Sequence, residues 1–148
     1  MSLGQFTELY ALFYNRNNFK DSYANMLLPV KILRNAAAHN NCLINRLKPP
    51  YSRSINPSYK LRDELTQNVG LSKKQLEKKL VHPAIHDFAT LLYLYSRIVP
   101  CPAREHAFAN VKHLFEYRML RHKDFYEKNE VLKSSYDFVR KIANYYCL

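Results

Sequence analysis

Only two glycines, Gly4 and Gly70, occur in the 148 residues of this chain. Glycine is the residue that takes up left-handed backbone without strain, so a chain this poor in it has little material for two-residue hairpin turns and none for a glycine-rich phosphate loop. No run of residues alternates apolar and polar with the period of a half-buried strand, whereas several segments repeat at helical spacing. Apolar residues make up 47% of the chain and aromatic ones 14%, which suits a packed core at a length where about two-thirds of the unfolded surface is buried. These features predict an all-α bundle of about five to six helices, with residues 1–148 forming one domain.

The first helix is expected over residues 3–15, from Leu3, Phe6, Tyr10 and Phe13 or Tyr14. A second, starting at Asp21 or Pro29 and running to Leu47, carries Leu28, Ile32, Ala36, His39, Leu43 and Leu47 as its apolar stripe. Lys48 to Ser58, with Pro49, Pro50 and Pro57, reads as a surface loop. Short helices follow at 59–68, ended by Gly70, and at 72–80, capped by Ser72 and carrying Lys73, Lys74, Lys78 and Lys79 on a face expected to be solvated. Residues 83–99 present Ile85, Phe88, Leu92, Tyr95 and Val99 on one side. The last two helices are placed at 103–122, burying Ala107, Val111, Leu114, Phe115 and Met119, and at 131–147, burying Leu132, Tyr136, Val139, Ala143 and Tyr146.

The net charge is +11, divided as +4, +4 and +3 over residues 1–50, 51–100 and 101–148. A folded cationic surface rather than a basic tail is implied, and such a surface suits RNA, although an inert basic surface has the same charge. The three cysteines, Cys42, Cys101 and Cys147, have no CxxC spacing, and no charged-then-apolar leader opens the chain. The apolar run Phe88 to Val99 is too short for a membrane span of about 20 residues, so a cytoplasmic protein without membrane contact is expected. His82 and His86 have the i, i+4 spacing of zinc ligands but no completing cluster, so neither metal nor cofactor is expected. Arg118 and Arg121, among His106, His113, His122 and Lys123, belong to a solvated basic face or to a surface that tracks RNA phosphates. Cys42 is read as a packing residue.

The densest set of polar groups lies in Leu33-Arg34-Asn35-Ala36-Ala37-Ala38-His39-Asn40-Asn41-Cys42-Leu43-Ile44-Asn45-Arg46. On one continuous helix Asn35, His39 and Arg46 fall within about 60° of each other, with His39 at the edge of the apolar stripe. Arg34 is turned from His39 by about 140° and shares its face with Ala38, Asn41 and Asn45. Either the Arg34 side chain wraps around the helix, or two copies of the helix meet across a two-fold axis. Spacing alone favours Asn35 and His39 as a satisfied polar pair inside the bundle.

The pattern Leu-Arg-Asn, then Ala-His, then Leu and Asn-Arg resembles the signature of abortive-infection (Abi) family proteins. It is also similar to the Arg-x(4 to 6)-His motif of the HEPN superfamily, matched by Arg34 and His39 with Asn35 after the arginine. The likeness extends to Ser2-Leu3-Gly4-Gln5-Phe6 and to Pro83-Ala84-Ile85. It departs at Asn40, Cys42 and Ile44, where many members have His, Arg and Trp. It also lacks the helical region that tends to precede the Leu-Gly segment, so a short form or a fragment is expected. The resemblance implies a HEPN-like bundle and a metal-independent endoribonuclease of phage defence or of a toxin–antitoxin pair. Arg34, Asn35 and His39 would be catalytic, and Arg46, Asn41, Asn45, Arg118 and Arg121 would bind RNA. Its partners would be RNA, a second copy of the chain and an antitoxin. A non-catalytic RNA-binding or protein-interaction module is the alternative.

Overall fold

The computed structural model describes residues 1–19, 22–43, 47–51 and 53–147. All regular structure among them is helical. Helix α1 (Leu3–Arg16) opens on a capping box in which Ser2 Oγ accepts from the Gln5 amide at 3.2 Å and Gln5 Oε1 accepts from the Ser2 amide at 2.8 Å. The same device, Ser72 with Gln75, opens α4 (Lys73–Lys79). Between them lie α2 (Ala24–Ala38) and α3 (Tyr59–Gln67), joined by the Pro-rich segment, which is irregular where described. Pro83 stands in the first turn of α5 (Pro83–Ile98), where its missing N–H costs no helical bond. Then come α6 (Ala103–His113), the short α7 (Lys123–Glu127) and α8 (Glu130–Cys147), whose first amides are capped by Asn129 Oδ1. The number of helices among the described residues is slightly above the expected five to six, and the short α7 has no counterpart among the expected segments.

Helix α5 is the axis of the bundle. It packs on α2 and on α8, while α1 leans on α2, and α6 and α7 lean on α8. Nine of its residues are buried, far more than one stripe: Pro83, Ile85, His86, Asp87, Ala89, Thr90, Leu92, Tyr93 and Leu94. Leu61, Leu65 and Ile142 have no exposed surface at all. Arg97 on α5 and Tyr145 on α8 both donate to the Glu64 carboxylate on α3, at 2.8 and 3.1 Å, tying three helices at one edge.

Three expectations are corrected by this packing. Helix α2 does not reach Leu47. It ends at Ala38, because Asn40 adopts a left-handed φ of 51° and the Asn41 and Asn40 amides turn back to the Ala36 and Ala37 carbonyls at 2.8 and 3.2 Å. That is the doubly bonded C-terminal stop for which asparagine, after glycine, is the suitable residue. Pro29 lies inside α2, and the buried face is Met26, Pro29, Leu33 and Ala36, while Leu28 is half exposed and His39 is exposed.

The helix expected over 103–122 is likewise interrupted: it widens into a π turn at Leu114–Arg118 and tightens at Leu120–His122. One extra residue in the turn keeps Phe115 in the core, where its carbonyl accepts from the Tyr136 hydroxyl at 2.8 Å, and leaves Leu114 partly exposed. Finally, Lys79 does not share the solvated lysine face. It is buried and donates to Ser134 Oγ and Ser135 Oγ on α8 at 2.7 and 3.1 Å. Burial, and then the charge of Lys78, push its ammonium below the usual lysine range against the pull of Asp137.

Candidate functional site

The end of α2 displays the motif rather than burying it. Arg34, Asn35 and His39 are all exposed, as is Asn41 beyond the helix stop. Arg34 Nη1 donates to Asn35 Oδ1 at 3.2 Å, so those two side chains form a unit. His39 lies one turn further along as the C-cap, and its imidazole has no bonding partner among the described residues. The expected Asn35–His39 pair is therefore not formed, and neither is a shielded imidazole. Lys31 does fall on the ridge that Asn35 and His39 continue, at successive helical turns, so the motif sits in a row of polar and cationic groups. Asn45 and Arg46 lie outside the described residues.

Arg118 and Arg121 are both exposed, on the π and 3-10 turns that follow α6. Around them two ring pairs lie on the surface: His113 on Tyr117 with centroids 5.2 Å apart, and His122 on Phe125 at 5.5 Å and only 11° from parallel. Stacked rings that leave an outer face to solvent, next to arginines, are the components of a surface that takes up unpaired bases.

A second polar cluster is buried. Asp87 on α5 accepts from Arg53, which comes from the Pro-rich segment, and its Oδ1 lies 3.0 Å from His86 Nδ1. His86 and Asp87 expose only 6% and 2% of their surface, and a carboxylate buried so deeply needs both partners. His86 thus has the Asp87 carboxylate as its partner. The His82 ring meets Tyr51 edge-on at 5.2 Å, and burial, followed by the charge of Lys79, holds it below the usual histidine range. Among the described residues no group of three or more His, Cys, Asp or Glu is placed to hold a metal ion.

One sequence signal runs through the motif and Arg53. From Ser22 to Arg62 there is no acidic residue, yet the segment carries Lys31, Arg34, Arg46, Lys48, Arg53, Lys60 and Arg62. Division of the chain into thirds hides this run, because Asp21 and the acids after Arg62 fall in the same thirds. No helix among the described residues is long and apolar enough to cross a membrane. No family model, curated protein or solved structure matches this chain.

Proposed function

We propose that the chain acts on RNA through the exposed end of α2, as a metal-independent endoribonuclease of phage defence or of a toxin–antitoxin pair. The observation that carries this reading is the joint exposure of Arg34, Asn35 and His39 inside a segment without a single acid from Ser22 to Arg62. A polyanion approaching there meets cations and hydrogen-bond donors on a stretch of chain that carries no carboxylate of its own. In the reaction, a ribose 2′-oxygen attacks the adjacent phosphorus and the 5′-oxygen leaves, giving a 2′,3′-cyclic phosphate and a 5′-hydroxyl end. The His39 imidazole suits the proton transfer, and the Arg34 guanidinium, oriented by Asn35, suits the charge on the phosphoryl oxygens. With the Arg34 guanidinium bonded to Asn35 and no Arg34–His39 bond among the described residues, on this reading a second copy of the chain supplies the missing half of each site. An antitoxin would silence the protein by covering the same surface.

That same separation favours the other reading, a non-catalytic module that binds RNA through Arg34, Asn41, Arg118 and Arg121 together with the stacked surface rings. Metal-free protein incubated with RNA in EDTA distinguishes the two, with His39→Ala as control. Cyclic-phosphate ends that vanish in the variant support the enzyme. Salt-dependent binding without cleavage, unchanged by the substitution, supports the module, and absence of both binding and cleavage refutes the nucleic-acid reading.

A further inference from the structure

Between the first half of α2, the start of α3 and the first turns of α5 lies a cavity of about 540 Å³, within the range of small-molecule sites. Among the described residues its charged lining is one-signed: Lys60, Arg62 and His86 contribute to it, and no aspartate or glutamate does. His86 is the buried member. A carboxylate only accepts hydrogen bonds, so the Asp87 oxygen 3.0 Å away requires the proton on His86 Nδ1. Nε2 is then the ring nitrogen left for a ligand, as acceptor from a hydroxyl or, once the ring is protonated, as donor to an anion. Arg53 offsets the charge of Asp87, so the carboxylate that orients His86 does not cancel the positive lining. At the mouth stands the Tyr59 ring, 67% exposed, and the Asn25 and Asn56 amides line the wall. Cations alone would suit any small anion. A free aromatic face with side-chain amides beside it adds the means to hold a base by stacking and by its edge.

We propose that this cavity binds one phosphate-bearing nucleotide unit, with Lys60 and Arg62 on the phosphate, Tyr59 against the base and His86 as the buried polar contact. The unit comes either from a free nucleoside monophosphate or from the phosphorylated end of an RNA chain. The proposal is independent of cleavage at Arg34 and His39, since none of the cavity residues belongs to that motif.

Calorimetric titration with AMP, adenosine, inorganic phosphate and a short oligoribonucleotide, with and without its 5′-phosphate, tests it. AMP is expected to bind one site and more tightly than adenosine or phosphate. Arg62→Ala is expected to weaken AMP by about tenfold or more. Tyr59→Ala is expected to weaken AMP by about tenfold while leaving phosphate unchanged. Both side chains are exposed, so these variants keep the fold even where His86→Gln does not. His39→Ala is expected to bind AMP like the wild type, which separates this site from the motif. A phosphorylated oligonucleotide that outbinds AMP assigns the site to RNA ends, and the reverse order assigns it to free nucleotide. The proposal is overturned if AMP binds no better than adenosine, or if Arg62→Ala and Tyr59→Ala bind AMP as the wild type does.

Discussion

Removing either partner of the Arg53–Asp87 pair should destabilise the protein, but unequally. Arg53→Met leaves a carboxylate with 2% of its side chain exposed and, among the described residues, only His86 beside it, whereas Asp87→Asn leaves a guanidinium whose side chain is 25% exposed. A buried charge stripped of its partner costs about 3–5 kcal/mol, because neither water nor protein replaces the lost interaction. The carboxylate is in that position, so Arg53→Met is placed near the lower end, about 3 kcal/mol, His86 giving partial relief. The guanidinium can turn toward water, so Asp87→Asn should cost less, about 1–2 kcal/mol. For a chain of this size about 3 kcal/mol corresponds to a midpoint lowered by about 6–12 °C. Urea and thermal unfolding followed by circular dichroism give both numbers. The double variant should be less destabilised than the sum of the two singles, since each single leaves the other charge stranded. An Arg53→Met protein within about 0.5 kcal/mol of wild type, or one more stable than Asp87→Asn, would refute the assignment of the buried carboxylate to this pair.

The depressed titration of His82 carries a definite sign: the unfolded chain binds the proton more readily, so stability contributed by the neutral ring is full above the usual value of 6.5 and is lost as pH falls below it. His82→Gln should therefore show a flatter fall in melting temperature between about pH 7 and pH 5 than the wild type. Leu61→Ala and Ile142→Ala, both at sites with no exposed surface, should each cost about 2–5 kcal/mol in chemical unfolding, while Leu12→Ala on the exposed side of α1 should cost almost nothing. Burial pushes the Cys147 thiol up to about 11, so alkylation monitored by mass at mildly alkaline pH should modify the exposed Cys42 and Cys101 first.

Most of the helices were legible in the sequence, because their determinants are local, while the short α7 was not. Ser2 with Gln5, Ser72 with Gln75, Pro83 at a first turn and Gly70 with its φ of 72° are each decided within a few residues. The stop at Asn40 was equally local, yet the apolar residues beyond it, Leu43 and Leu47, mimic a continuing stripe and conceal it. Arg34, Asn35 and His39 could be picked out through the resemblance of the Leu33 to Arg46 pattern to a known signature, since their spacing alone favours a satisfied polar pair. Whether they were paired or shielded could not, since that depends on which face α2 turns toward α5.

Other features were decided only by tertiary structure. The π turn that keeps Phe115 inward depends on Tyr136, which lies 21 residues away and accepts no substitute from local propensity. Lys79 is buried because Ser134 and Ser135 on α8 receive its ammonium, across more than half of the remaining chain. Asp87 meets Arg53 across 34 residues and becomes the anchor of His86, although in the sequence it is one acid in the first turns of a helix. Periodicity reports the average side of a helix that faces a core, whereas a buried charge survives only where a particular distant side chain compensates it. The sequence by itself therefore determined that this chain is helical, basic and marked by Arg34 to His39, and packing around α5 determined which of its polar groups meet.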